Sequence, residues 1–159
     1  MPKGSKELTE ARKTEIVDAC AKLYKTMSFK EITIKEIGNA ISFTRTSVYN
    51  YFQTKEEIFL ALLQREYASW NHELSQAVNG NDSMTVEGLA DLLAETLSRR
   101  EQMLKLLSMN MFEIEENSRL DCLVEFKREY RNTLTLVNQC LQKIRPALDP
   151  EVLRQFPYA

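Results

Sequence analysis

Residues 33–58 read TIKEIGNAISFTRTSVYNYFQTKEEI, and this stretch decides the fold. Thr33-Ile34-Lys35-Glu36 has capping-box spacing, in which the threonine oxygen and the glutamate carboxylate each satisfy a free backbone N–H. It predicts a helix over about 34–40. Ile41-Ser42-Phe43 follows as a turn, and Thr44 is placed to cap a third, short helix over about 45–51. Two short helices so joined have helix-turn-helix spacing. Ile37, Ile41, Phe43, Val48 and Phe52 are apolar at positions that close a small core, and Gly38 is small where the two helices would approach. Around Val48 and Phe52 stand Arg45, Thr46, Ser47, Tyr49, Asn50 and Tyr51, side chains that reach phosphates and base edges.

Upstream, Ile16, Ala19, Cys20, Leu23, Tyr24 and Met27 form one stripe of an amphipathic helix over residues 8–27. Downstream, Thr54-Lys55-Glu56-Glu57 is a second capping box. It opens a long helix with Phe59, Leu63, Tyr67, Trp70, Leu74 and Ala77 on one face. Asn79-Gly80-Asn81-Asp82-Ser83 reads as a loop. Helices are expected over about 85–97 and from Met103 to Phe112, with Ser98-Arg99-Arg100-Glu101 as a cap for the latter. Ser118-Arg119-Leu120-Asp121 starts the longest helix, which ends before Pro146. In it Tyr130, Leu134, Val137, Leu141 and Ile144 step like a heptad seam for a partner helix. Asp149-Pro150-Glu151 marks one more helix start.

The composition agrees with an all-α protein. Gly and Pro together are 8 of 159 residues, and no proline occurs from residue 3 to 145. The frequent turns of a β-sandwich or barrel are missing, and Rossmann, TIM-barrel and disulfide scaffolds are disfavoured. Net charge is −2, but it is divided unevenly. Residues 1–55 hold ten Lys/Arg and six Asp/Glu, while the remainder holds eleven and seventeen. A basic third on an acidic body suggests a polyanion-binding end. Cys20, Cys122 and Cys140 are odd in number and sit in apolar helical stretches, the pattern of reduced core thiols. No apolar run approaches a membrane span and the basic N-terminus has no apolar stretch behind it, so a cytoplasmic protein is expected. His72, the only histidine, has no Cys, His, Asp or Glu four residues away, and no Gly-rich phosphate loop or metal-ligand cluster is present. No catalytic residue, metal or cofactor is therefore assigned, and an enzyme is the weakest reading.

The stretch resembles the TetR-type (TetR/AcrR-like) transcriptional regulators. Their hallmark is Tyr-x-Tyr-Phe closing the recognition helix and Ser/Thr-Lys-Glu opening the next, here Tyr49-Asn50-Tyr51-Phe52 and Thr54-Lys55-Glu56. The strong match covers about residues 10–58. The resemblance implies an N-terminal three-helix helix-turn-helix DNA-binding domain over 1–53. A long helix joins it to a helical effector-binding and dimerisation domain over 54–159, with C-terminal helices short or missing. Carried over residue by residue, Thr33 and Thr44 would bond phosphates at helix starts, while Arg45, Thr46 and Asn50 would reach base edges. Ser47 would meet base or backbone. Tyr49, Tyr51 and Lys55 would reach phosphates, and an N-terminal arm with Lys3 and Lys6 would add diffuse contacts. The family usually has Gly in the turn where this chain has Ser42.

What the resemblance implies is a repressor that binds a palindromic double-stranded DNA operator as a homodimer and is released by a small apolar or aromatic effector. Trp70, Met103, Met111, Phe112 and Tyr130 are candidates for the effector pocket, although such a stripe also makes plain core. The alternative is a protein–protein interaction module of the same fold with weak or no DNA binding. Salt dependence separates the two. Relatives usually continue through two further long helices, so either the chain is truncated or it dimerises through another surface such as the 130–144 seam, and a weakened or rearranged dimer is expected.

Overall fold

The computed structural model of the protein describes residues 3–144, and every regular element among them is helical. In chain order these are α1 (Lys3–Tyr24), α2 (Ile34–Gly38), a 3-10 helix (Arg45–Asn50), α3 (Lys55–Gly80), α4 (Val86–Ser98), α5 (Glu101–Leu107), α6 (Met111–Glu116) and α7 (Leu120–Ile144). Several starts are set by local chemistry. The side-chain oxygens of Thr33, Thr54, Thr85 and Asn110 each accept the backbone N–H three residues on. The Lys3 side chain and the helix start expected at Asp149 lie outside the described residues.

The long helix α3 is the spine. Of its expected face, Phe59, Leu63, Tyr67, Trp70 and Leu74 are buried, while Ala77 is half-buried and Val78 takes its place. Ile58, Leu60 and Leu62 are buried as well, so the first turns of α3 are apolar on nearly every side. The reason is enclosure: α1, α5 and α6 pack against α3, and α7 runs along it. One core runs from Ile16, Cys20 and Tyr24 through Phe59 and Leu63 to Met103, Leu106, Ile114 and Phe126. The rings of Tyr24 and Phe29 meet Phe59 edge-on at 5.1 and 4.8 Å. The helix-turn-helix end and the body therefore share a core. A second, smaller cluster of Val78, Leu89, Cys140 and Ile144 closes the far end.

Four local expectations need correction. The basic N-terminus is not an arm from Lys3 onward but the first turns of α1. The helix from Met103 to Phe112 divides into α5 and α6. Ser108 and Met109 turn their N–H groups back onto Lys105 and Leu106, the Ser108 hydroxyl bonds the Lys105 carbonyl at 2.6 Å, and Asn110 caps α6. The Ser118 hydroxyl closes α6 by donating to Ile114 O at 2.7 Å rather than opening α7. Finally, α7 buries Phe126, Thr133, Cys140 and Ile144, leaving Leu134, Val137 and Leu141 half-buried and Tyr130 exposed. Apolar periodicity misses this rotation because a polar pair fills the seam. Thr133 Oγ1 donates to Asn71 Oδ1 at 2.6 Å, and the Asn71 amide donates to the backbone and carboxylate oxygens of Glu129 at 3.0 and 2.8 Å.

All three cysteines are free. Cys20 and Cys140 are buried and Cys122 is half-buried. Burial pushes the Cys20 thiol up to about 12, with Arg65 and Lys55 pulling weakly the other way. Among the described residues no helix is long and apolar enough to cross a membrane.

Candidate nucleic-acid interface

The recognition element is held by what it buries. Val48 is fully buried and Phe52 nearly so, while Arg45, Thr46, Tyr49 and Asn50 are exposed and Ser47 and Tyr51 are half-buried. A 3-10 helix has three residues per turn, so residues three apart eclipse. Arg45, Val48 and Tyr51 lie along one line, in which Val48 is buried, Tyr51 half-buried and Arg45 exposed. Thr46 with Tyr49, and Ser47 with Asn50, form two outward faces. The ladder is short-ranged: Ser47 N–H donates to Thr44 O at 3.0 Å and Tyr51 N–H to Val48 O at 2.9 Å.

The approach of α2 explains Gly38. A Cβ there would lie 2.5 Å from Arg45 Cγ and 2.9 Å from Arg45 Cβ. The arginine stem thus packs flat on the glycine, and the residue as a whole stays exposed. At the start of α2, Thr33 Oγ1 accepts the Glu36 N–H at 3.2 Å, which leaves its own proton available for a phosphate oxygen. Glu36 itself is exposed. Thr44 Oγ1 and Ser47 Oγ share a 2.6 Å hydrogen bond at the start of the recognition helix.

α1 braces the turn. The Glu15 carboxylate accepts both the Ser42 N–H and, at 2.8 Å, the Ser42 hydroxyl. The turn is thus held by a side-chain pair that a glycine in place of Ser42 would lack. One helical turn earlier, the Arg12 guanidinium lies 4.9 Å over the Phe43 ring and donates to Tyr51 Oη at 3.4 Å. Phe43 and Tyr51 meet edge-on at 6.4 Å.

Lys55 is placed differently from the other candidates. Its ammonium donates to Phe29 O at 2.7 Å and Ile32 O at 3.0 Å and sits 4.1 Å over the Phe29 ring. It ties the α1–α2 loop to the start of α3, with one N–H remaining.

The end of the recognition element is linked to the body through one carboxylate. Glu57 is 1 % exposed. It accepts from Gln53 N–H at 2.9 Å, and from Arg119 N–H, Nε and Nη2 at 2.8, 2.9 and 2.9 Å. Arg119 Nη2 also donates to Tyr51 O at 3.2 Å, and the Thr54 hydroxyl donates to Asn117 O at 2.8 Å. Burial pushes the Glu57 carboxyl upward, but the hydrogen bonds and charge of Arg119 and the two backbone donors outweigh it and hold it below the usual range. Beside this pair a cleft of about 620 Å³ separates α1, the recognition end and α7, lined by Lys13, Tyr51, Glu57, Arg119 and Cys122 among others.

The five effector candidates do not come together as one group. Met103 is fully buried, Met111 half-buried and Phe112 75 % exposed. Trp70 and Tyr130 do converge on one ring: their centroids lie 6.4 and 5.6 Å from that of Tyr67. Trp70 Nε1 donates to Thr96 Oγ1 at 2.8 Å. Tyr130 also borders a groove of about 560 Å³ along α7 with Leu120 and Val124.

Reading the sequence missed Arg12, Glu15, Asn117 and Arg119. Each acts across 27 to 68 residues of chain, so no local spacing announces it.

A short helix seated by α2 and α1, with polar side chains turned outward on a shared helical core, defines a helix-turn-helix protein. Family models agree on which one. The bacterial regulatory protein, tetR family, model matches residues 16–62, and the tetracyclin repressor-like C-terminal domain model matches 64–159. The chain belongs to the TetR family of bacterial regulatory proteins. It is 33 % identical over 63 residues to an uncharacterized HTH-type transcriptional regulator, YfiR, of Bacillus subtilis. It is 26 % identical over 66 residues to the HTH-type transcriptional repressor Rv1474c of Mycobacterium tuberculosis. These matches take in 40 % and 42 % of this chain and 31 % and 35 % of the relatives, so the chain matches about a third of their length. Among solved structures it is similar in fold to the fatty acid degradation regulator FadR of Bacillus halodurans. The TM-score is 0.63 at 16 % identity, over 91 % of this chain and 76 % of that one.

Proposed function

We propose that the protein is a DNA-binding transcriptional regulator of the cytoplasm, acting as a repressor and not as an enzyme. A reading head over 1–53 sits on a regulatory body over 54–159. The observation that carries this is the exposure of Arg45, Thr46, Tyr49 and Asn50 on a helix pinned from beneath by Val48 and Phe52. Arg45 pairs well with guanine O6/N7 and Asn50 with adenine N6/N7. Thr33, Thr44, Tyr49 and Tyr51 supply hydroxyls, and Lys55 its remaining N–H, to phosphates. Ser47 meets base or backbone.

The working unit is a homodimer on a palindromic site, with two recognition helices about 34 Å or a multiple apart. The half-buried line of Leu134, Val137 and Leu141 offers the contact surface. A small apolar or aromatic effector acts on the body, and the Trp70–Tyr67–Tyr130 ring cluster best supports its location. Such a ligand releases DNA by binding the DNA-incompetent state more tightly, a coupling of about 1–3 kcal/mol.

The test is titration of duplex DNA by fluorescence anisotropy across a salt series. Affinity for a selected site that falls steeply with salt supports the reading. Absence of duplex binding at low salt, with capture of a protein partner instead, replaces it by the interaction-module alternative.

A further inference from the structure

We infer that Arg12 of α1 and Tyr51 at the end of the recognition helix act together as a clamp on one backbone phosphate of the operator. The proposal rests on the DNA-binding reading above and adds to it a cation that lies outside the helix-turn-helix.

The geometry assigns the direction of each hydrogen bond. Arg12 Nη1 donates to Tyr51 Oη at 3.4 Å, so the phenol oxygen is used as an acceptor and its own proton is left to donate. The guanidinium keeps its other N–H groups and forms no ion pair among the described residues. The nearest acid along its helix face, Glu15 three residues on, spends its carboxylate on Ser42. The guanidinium carbon lies 4.9 Å over the ring of Phe43, which itself adjoins Thr44 at the start of the recognition helix, so the cation is held beside the Tyr51 phenol. Arg12 is half-buried, so the cation is partly desolvated yet reachable. An arginine fork beside a phenol proton, both free to donate and neither matched by an acid, is the donor set of a phosphate site. A purely structural arginine in this place would need only the ring and the phenol oxygen.

The experiment is a salt titration of wild type, Arg12→Gln, Arg12→Lys and Tyr51→Phe on an operator recovered by selection from random duplex DNA. Arg12→Gln is expected to weaken binding roughly ten- to hundredfold. Its slope of log K against log salt should be shallower by about 0.9, with the selected bases unchanged. Arg12→Lys is expected to keep the slope and recover part of the affinity. Tyr51→Phe should weaken binding at an unchanged slope. In a second measurement, neutral methylphosphonates are placed singly along the operator and binding of wild type and Arg12→Gln is compared. One position should weaken the wild type strongly and Arg12→Gln, which keeps only the Tyr51 donor there, much less. An Arg12→Gln slope equal to wild type overturns the clamp, as does a changed base preference or a methylphosphonate profile shared by both proteins. Wild type that binds no duplex at all overturns the DNA reading itself, which is a separate and recognisable failure.

Discussion

Replacing Arg119 by Ala tests how the reading end is joined to the body. The change removes the Nε and Nη2 hydrogen bonds to Glu57 and the Nη2 bond to Tyr51 O. It leaves the backbone N–H of residue 119 and that of Gln53 on the carboxylate. Glu57 is therefore stripped of its cation but not of all its donors. Breaking a buried pair by removing one partner costs about 3–5 kcal/mol. The two surviving donors and the 46 % exposure of the Arg119 side chain bring the expectation down to about 2–3 kcal/mol. Urea denaturation at pH 7.5 reads this directly.

The pH dependence gives the argument its sign. In wild type the Glu57 carboxyl is held below its ordinary range, so its stabilisation is complete above that range and is lost as pH falls through the folded value. In Arg119→Ala burial dominates and raises the carboxyl pKa, so protonation relieves the variant before it harms the wild type. The gap between them should narrow between pH 7.5 and pH 5. A gap under about 0.5 kcal/mol at pH 7.5 would refute the reasoning, as would one that widens on acidification.

Other consequences follow from the same geometry. Gly38→Ala places a Cβ inside the Arg45 stem, which must shift with its backbone, at about 1–3 kcal/mol. Operator affinity measured by anisotropy should fall at least as far as stability does. Lys55→Met gives up two carbonyl hydrogen bonds and the stack on Phe29 and should cost about 1–3 kcal/mol in urea, read by tryptophan fluorescence. Thr96→Val orphans the buried indole N–H of Trp70, the single tryptophan, and should cost about 1–3 kcal/mol with a shift of its emission. Ser42→Gly removes the hydroxyl bond to Glu15 but keeps the N–H bond, so the turn should survive with a stability loss near 1 kcal/mol, checked by thermal unfolding.

The parts of this fold that could be read from sequence are those whose causes are local. Thr33, Thr54 and the turn from Ile41 to Phe43 announce the helix starts, because a cap acts over three residues. Spacing sets Val48 and Phe52 inside, whereas Tyr49 also fits a core aromatic by spacing and is turned outward only by the Tyr-x-Tyr-Phe motif around it. What could not be read depends on partners distant in the chain. The role of Lys55 is decided by carbonyls of Phe29 and Ile32, and that of Glu57 by Arg119. The buried line of α7 escaped apolar counting because Thr133 is stabilised there by Asn71 rather than by its own hydrophobicity. Phe112 shows the converse: apolar character alone did not bury it.

The most direct measurement is selection of bound sites from random duplex DNA by wild type and by Arg45→Ala in parallel. The account predicts a palindromic site for wild type, with base preference relaxed at one position in each half-site for the variant. Recovery of no palindrome, or of the same bases with equal strength by both proteins, would contradict it.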